Sequence, residues 1–227
     1  MPRDIAAAAF DVDGTLYPEW RLYSRTWRGV FLNPRLFAAF ARTRGRLRRR
    51  GAPVARDSFY ELQAEICAEE LGLGGRAAKV KAEIERHIYG SVERFFDGIK
   101  PYPHLKECLL AMKKSGLKLA VLSDFPIGGK LRSLRLDGLW DAELCSEETG
   151  ALKPHPLPFL RLAESLDLSP NRILYVGNNP AYDIEGAQNA GMTAALRCFC
   201  PLIPPARGRN ADFVFNGYRS FQEYVLR

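Results

Sequence analysis

Four short constellations in the 227-residue sequence combine side chains that can do chemistry together. The first is Asp11-Val-Asp13-Gly14-Thr15, directly after the apolar run 5–10. Two carboxylates one residue apart at a strand end repel each other unless a cation or a raised pKa relieves them. One can act as a nucleophile and the other as a proton carrier. Gly14 allows a sharp turn that aims backbone N–H groups at an anion, although Asp-Gly is also an ordinary turn pair. The second is Ser123-Asp124, after the apolar run 117–122; its hydroxyl can donate to a phosphate oxygen. The third is Lys153-Pro154, a cation that would balance nearby carboxylates and grip a phosphoryl oxygen. The fourth is Gly177-Asn178-Asn179-Pro180 with Asp183. Asn178 and Asp183, with Asp11, offer oxygen ligands of the kind Mg²⁺ prefers, while the same residues would equally serve a loop and a helix cap.

These groups can meet only if the chain brings them to one edge. Runs 5–10, 117–122, 142–145, 173–176, 193–197 and 212–215 read as short strands. They alternate with helical patterns at 105–114, 129–136, 156–166 and 181–190. Strand–helix alternation predicts an α/β fold with a mostly parallel sheet, whose ligands bind beyond the carboxyl ends of the strands. The acids and hydroxyls of these constellations lie at such ends. Residues 17–100 differ, with helices and no strand. Trp27, Val30, Phe31, Leu36, Phe37 and Phe40 recur at helical spacing, and Trp20, Tyr23 and Trp27 are expected to pack this segment. Ser58-x-x-Glu61 reads as a capping box, Gly72 as a helix stop, and Val80, Ile84 and Ile88 as a helix ending near Gly90. Residues 201–209 read as a Pro/Gly-rich loop.

Taken in order, Phe10-Asp-Val-Asp-Gly-Thr-Leu16, Leu122-Ser-Asp124, Lys153-Pro154 and Val176-Gly-Asn-Asn-Pro-Ala-Tyr-Asp-Ile184 are similar to the four motifs of the haloacid dehalogenase-like (HAD) hydrolase superfamily. Gly186-Ala187 and Ala190-Gly-Met192 extend the likeness, which covers 1–16 and about 98–216. The resemblance implies a Rossmann-like core formed by 1–16 and 98–227, with 17–97 inserted as a helical cap of the C1 type. It implies a Mg²⁺-dependent phosphatase in which Asp11 attacks phosphorus and Asp13 protonates the leaving oxygen and then activates water. Ser123, Asp124, Lys153, Gly14 and Thr15 would bind the phosphoryl group, and Asp11, Asp13, Asn178 and Asp183 the metal. One departure stands out: phosphatases of this family usually carry Asp where this chain has Asn178, an uncharged ligand.

Composition narrows the alternatives. Apolar residues at 47% and charged residues at 26% exclude a disordered or fibrous chain. No apolar run approaches a membrane span and no signal peptide is legible, so a cytoplasmic enzyme is expected. The five cysteines read as free thiols, and the pair Cys198/Cys200 lacks the histidines of a zinc site. His87, His104 and His155 form no ligand set. Gly72-Leu-Gly74-Gly-Arg-Ala77 follows a helix rather than a strand, against a dinucleotide site, and Gly129-Lys130 lacks the first glycine of a P-loop. The net charge of +7 lies wholly in 17–100, with Arg42, Arg44, Arg46, Arg48, Arg49, Arg50 and Arg56 uninterrupted by acid. Such a run is a solvated face, or an attraction for a polyanionic substrate that would need Arg48, Arg49 and Arg50. Nucleic acid is not expected, because no aromatics interleave the run. C–halogen hydrolysis and a non-catalytic phosphate-binding role compete with the phosphatase reading, both resting on Asn178.

Overall fold

The computed structural model describes residues 4–199 and 210–227. Six strands form one sheet: β1 Ala7–Phe10, β2 Lys118–Ser123, β3 Ala142–Cys145, β4 Ile173–Gly177, β5 Thr193–Arg197 and β6 Phe213–Phe215. Their order is β3-β2-β1-β4-β5-β6, and every neighbouring pair is parallel. β1 is central and buried along its whole length. Its residues alternate between two cores, as a pleated strand requires. Ala8 and Phe10 join the core beneath α6 (Leu105–Lys114) and α10 (Tyr218–Val225). Ala7 and Ala9 join the core beneath α8 (Pro156–Leu166) and α9 (Glu185–Asn189). The chain leaves β1 for β2 on one side and returns to β4 on the other, so the switch point of the sheet lies at the end of β1.

Between β1 and α6 lie five helices: α1 Trp20–Leu32, α2 Pro34–Arg49, α3 Phe59–Glu70, α4 Ala77–Ile84 and α5 Gly90–Phe95. Pro34 at the first turn of α2 separates it from α1, a position where its missing N–H costs nothing. Leu36, Ala39 and Phe40 pack with Cys67, Ala68, Val80, Ile84 and Ile88 in a core separate from the sheet. The short α7 is Lys130–Ser133.

Several local expectations are corrected. Trp20, Tyr23 and Trp27 are each more than half exposed, because α1 turns Leu22 and Thr26 inward instead. Gly90 does not stop a helix: its backbone stays right-handed, and α4 runs through a wide turn, Glu85–Tyr89, into α5. Ser58 makes no capping bond, and Glu61 pairs with Lys81 at 2.7 Å. Gly72 does end α3, with φ +69°. Helix α10 was not foreseen; its Tyr218 hydroxyl donates to the Thr15 carbonyl at 2.7 Å and braces the first constellation. The 201–209 loop and Cys200 lie outside the described residues. Among the described residues, no helix is long and apolar enough to cross a membrane.

One contact between the helical segment and the sheet depends on glycine. Val54 N–H donates to the Gly150 carbonyl at 3.0 Å, Gly150 has φ +82°, and a Cβ there would lie 1.8 Å from the Val54 carbonyl oxygen. Gly150→Ala is expected to cost about 3 kcal/mol, the upper end of ordinary point changes, measured by urea unfolding.

Candidate active site

Parallel strands place the four constellations together. Asp11 follows β1, and its N–H donates to the Val176 carbonyl of β4 at 2.8 Å. The Asp11 carboxylate is almost wholly buried. Lys153 Nζ donates to its Oδ1 at 2.7 Å, and Thr15 Oγ1 donates to its Oδ2 at 2.9 Å. Lys153 is also buried and reaches Asp183 Oδ1 at 2.6 Å and the Tyr175 hydroxyl at 3.2 Å. Burial pushes the Asp11 carboxyl up to about 8, and Asp183 and Asp13 add to the rise against the opposing pull of Lys153. Burial works against the Lys153 ammonium, but Asp11 and Asp183 outweigh it and hold it charged.

Asp13 is held by two groups that the sequence did not single out. Lys130 Nζ donates to both its oxygens at 2.8 Å, and the Tyr17 hydroxyl donates to Oδ1 at 2.5 Å. Lys130 was visible only as a failed P-loop residue, and Tyr17 only as the fourth residue after Asp13. Ser123 Oγ lies 3.5 Å from Asp13 Oδ2 and accepts from the Phe125 N–H at 3.1 Å, so it faces the same space.

Two expected residues have other engagements. Asp124 accepts from Arg48 Nη2 at 2.8 Å and from the Lys153 backbone N–H at 3.0 Å. Burial alone would raise its pKa, but Lys153, Arg44 and Arg48 hold it below the ordinary carboxylate range. Asp124 thus has one carboxylate oxygen on Arg48 and the other on the Lys153 backbone, an engagement the sequence did not predict. Asp183 spends Oδ1 on Lys153 and Oδ2 on the backbone N–H groups of Asn178 (3.2 Å) and Asn179 (2.9 Å). It thus shapes the loop and orients Lys153. The close approach requires Gly177, where a Cβ would lie 2.2 Å from that of Asp183.

Most of the arginine run is a solvated face, with Arg42, Arg46, Arg49, Arg50 and Arg56 exposed, while Arg44 and Arg48 turn inward. Arg42 and Arg46 pair with Glu70, and Arg46 also with Glu69. Arg44 is buried, pairs with Glu147 and donates to the Asp124 carbonyl at 2.7 Å. Arg48 also donates to the Lys153 carbonyl at 3.0 Å and lies over the Tyr182 ring at 4.1 Å. Arg49 and Arg50 are exposed. The signal that could have exposed this clasp is the four-residue step from Arg44 to Arg48, which puts both on one helix face.

Among the described residues, no three His, Cys, Asp or Glu side chains converge as a metal set. A mixed set does. One end of the Asn178 amide lies 3.3 Å from Asp11 Oδ2 and 3.1 Å from the Asp13 carbonyl oxygen. With nitrogen at that end, the amide donates to both and to Thr15 Oγ1 at 3.2 Å. With oxygen there, three oxygens face one another with no proton between the amide and its two oxygen neighbours. Oxygens bound to one Mg²⁺ at about 2.1 Å and at right angles lie about 3.0 Å apart. The local charge favours a cation too: among the described residues, the carboxylates of Asp11, Asp13 and Asp183 pair with two ammoniums, those of Lys130 and Lys153. The donors therefore fit a hard divalent cation, with Asp11 as the one charged ligand.

The sequence matches the haloacid dehalogenase-like hydrolase family over residues 5–191. The chain belongs to that family. It is 34% identical over 145 residues to a phosphoglycolate phosphatase of Mannheimia succiniciproducens, a match covering 62% of this chain and 64% of the relative. The chain thus spans less than two thirds of that relative's length. It is 29% identical over 195 residues to a glyceraldehyde 3-phosphate phosphatase of Methanopyrus kandleri, covering 83% and 82% of the two chains. Solved structures share the fold from end to end. A predicted phosphoglycolate phosphatase from Haemophilus somnus superposes with TM-score 0.66 at 20% identity, covering 99% of this chain and all of the other. The L-2-haloacid dehalogenase of Xanthobacter autotrophicus superposes with TM-score 0.67 at 20% identity, covering 98% of both chains. The fold alone does not separate the two chemistries; the side chains must.

Proposed function

We propose that this member of the haloacid dehalogenase-like hydrolases is a Mg²⁺-assisted phosphatase acting on a small phosphomonoester. The observation that carries the reading is the second carboxylate: Asp13 sits in the site beside Asp11, held by Lys130 and Tyr17. Halide needs no proton to leave, so a dehalogenase would have no use for Asp13, whereas an alkoxide leaving group does. The phosphatase names of the relatives that cover most of the chain support the same choice.

Asp11 supplies the nucleophilic oxygen. As its bond to phosphorus forms, the ester P–O bond breaks and the leaving oxygen takes a proton from Asp13. Asp13, now a carboxylate, then removes a proton from water, which attacks phosphorus and frees phosphate, regenerating Asp11. Lys153, fixed by Asp183 and Asp124, and Ser123 hold phosphoryl oxygens, with Thr15 and the backbone at Gly14 closing the cradle. Asp11, the Asp13 carbonyl and Asn178 would hold Mg²⁺, which when bound offsets the charge of the phosphate dianion. Residues 17–97 act as the cap over the core of 1–16 and 98–227. The buried thiols Cys67, Cys108 and Cys145 suit a reducing, cytoplasmic setting.

The test is phosphate release from a panel of phosphomonoesters with Mg²⁺ and with chelator, alongside chloride release from 2-chloropropionate. Mg²⁺-dependent phosphate release supports the reading, and an acid-quenched sample should carry phosphate on the peptide containing Asp11. Chloride release without phosphate release would overturn it.

Asn178 sets the strength of the metal site. Asn178→Asp puts a negative charge among the oxygens that would hold the divalent cation; even at a separation of about 4 Å the attraction is roughly 8 kcal/mol at an effective dielectric near 20, before desolvation and repulsion are subtracted. A gain in Mg²⁺ affinity of about tenfold is expected by calorimetry. Without metal the same variant should melt lower than wild type, because three carboxyl and carbonyl oxygens then face one another. Unchanged affinity would remove Asn178 from the ligand set.

A further inference from the structure

A cavity of about 270 Å³ opens between the cap and the loop that follows β2. Its cap wall is Tyr89, Val92 and Phe96, and its core wall is Phe125 and Ile127, with Lys130 between them. The Lys130 ammonium that touches Asp13 lies 6.0 Å from the ring centroids of both Phe96 and Phe125. Phe96 in turn packs edge-on against Tyr17, at 5.0 Å between centroids. The cavity therefore shares Lys130 with the site: the side chain that lines it also holds the Asp13 carboxyl group.

We propose that this cavity receives the organic part of the ester and selects an apolar, aryl or branched-alkyl group over one bearing a second anion. The inference rests on the phosphatase reading and adds the substrate's chemical class to it. Three observations carry it. The walls are aromatic and aliphatic. The cation at the floor already faces the two oxygens of Asp13. The other charged residue on the lining is Glu85, an exposed acid that repels anions. Of the cap arginines, Arg42, Arg44, Arg46 and Arg48 are taken up by Asp124, Glu147, Glu69 and Glu70, and none of the seven in the run lines the cavity. At about 30 Å³ per water, the space holds roughly nine waters, more than a two-carbon acid fills.

The test compares two esters of nearly equal shape, isobutyl phosphate and phosphoglycolate, in which two methyl groups replace two carboxylate oxygens. Phenyl phosphate and methyl phosphate complete the series. The kcat/KM for isobutyl phosphate should exceed that for phosphoglycolate by about tenfold or more, and phenyl phosphate should exceed methyl phosphate by at least as much. Val92→Lys places a cation on the cap wall and should move the ratio toward phosphoglycolate; Phe125→Ala should raise KM for phenyl phosphate more than it lowers kcat. Because Phe125 also packs against Arg44, Val92→Lys is the variant that decides if Phe125→Ala fails to fold. Hydrolysis of both esters with phosphoglycolate preferred would overturn the cavity assignment and leave the phosphatase reading standing. Hydrolysis of no ester in the series would overturn both.

Discussion

Asp11→Asn is expected to abolish phosphate release while leaving the protein folded and no less stable. The loss should exceed about a thousandfold, because the amide has no nucleophilic oxygen and no other step replaces the bond it forms. Stability should hold because the wild-type site carries an excess of negative charge. Burial opposes the ionised form of Asp11, with Asp183 and Asp13 close by. Asparagine has the same shape. Its oxygen can accept from Lys153, and its nitrogen can face the Asn178 amide oxygen and Thr15. Lys153 keeps Asp183 as its ion partner at 2.6 Å. The melting temperature should therefore stay within about 2–4 °C of wild type or rise, since 1 kcal/mol moves a chain of this size by about that much. Calorimetry and a phosphate assay on one preparation check both halves. Turnover above about a tenth of wild type would place the nucleophile elsewhere, and a large fall in melting temperature would show that Asp11 is structural.

The split between activity and stability also explains what was legible in the residues. Asp11, Asp13 and Ser123 announce themselves because they stand at strand ends, which are readable from short apolar runs that stop at a polar residue; Lys153 and Asp183 lie further along and stood out through the order of the motifs. The mostly parallel sheet follows from the same runs, whereas the strand order β3-β2-β1-β4-β5-β6 does not. What the pattern did not reveal depends on approach through space. Lys130 reaches Asp13 across 117 positions and Arg44 reaches Glu147 across 103, and no local spacing encodes either contact. The pairing of Asp124 was hidden for the same reason: successive residues leaving a strand point to opposite sides, and its side goes to Arg48. Trp20, Tyr23 and Trp27 misled for a related reason: a three- and four-residue rhythm marks a helix face without saying which face is buried. Arg42 to Arg56 read as one charge run, but helix geometry divides it among carboxylates on two sides.

That division supplies the second large expected effect. Arg44→Met should destabilise the protein by about 3–5 kcal/mol, because it leaves Glu147, fully buried, without its charged partner. At about 2–4 °C per kcal/mol, the melting temperature should fall by roughly 10 °C or more. The Tyr89 hydroxyl at 2.8 Å would be the remaining donor to Glu147 among the bonds described. The pair is imperfectly satisfied even in the wild type: Arg44 Nε and Glu147 Oε2 have no hydrogen-bond partner. Replacing both residues, Arg44→Met with Glu147→Met, should therefore recover more than half of the stability lost by Arg44→Met alone. Catalysis should not recover with it. Arg44 also donates to the Asp124 carbonyl at 2.7 Å, and Asp124 accepts from the Lys153 N–H at 3.0 Å, so helix α2 holds Lys153 in place through two bonds in series. The double variant should unfold near the wild-type temperature yet keep a kcat several-fold below wild type, with KM nearly unchanged. Equal recovery of both would mean that Arg44 serves folding alone; failure of the second substitution to restore stability would mean that Glu147 and Arg44 act through separate partners.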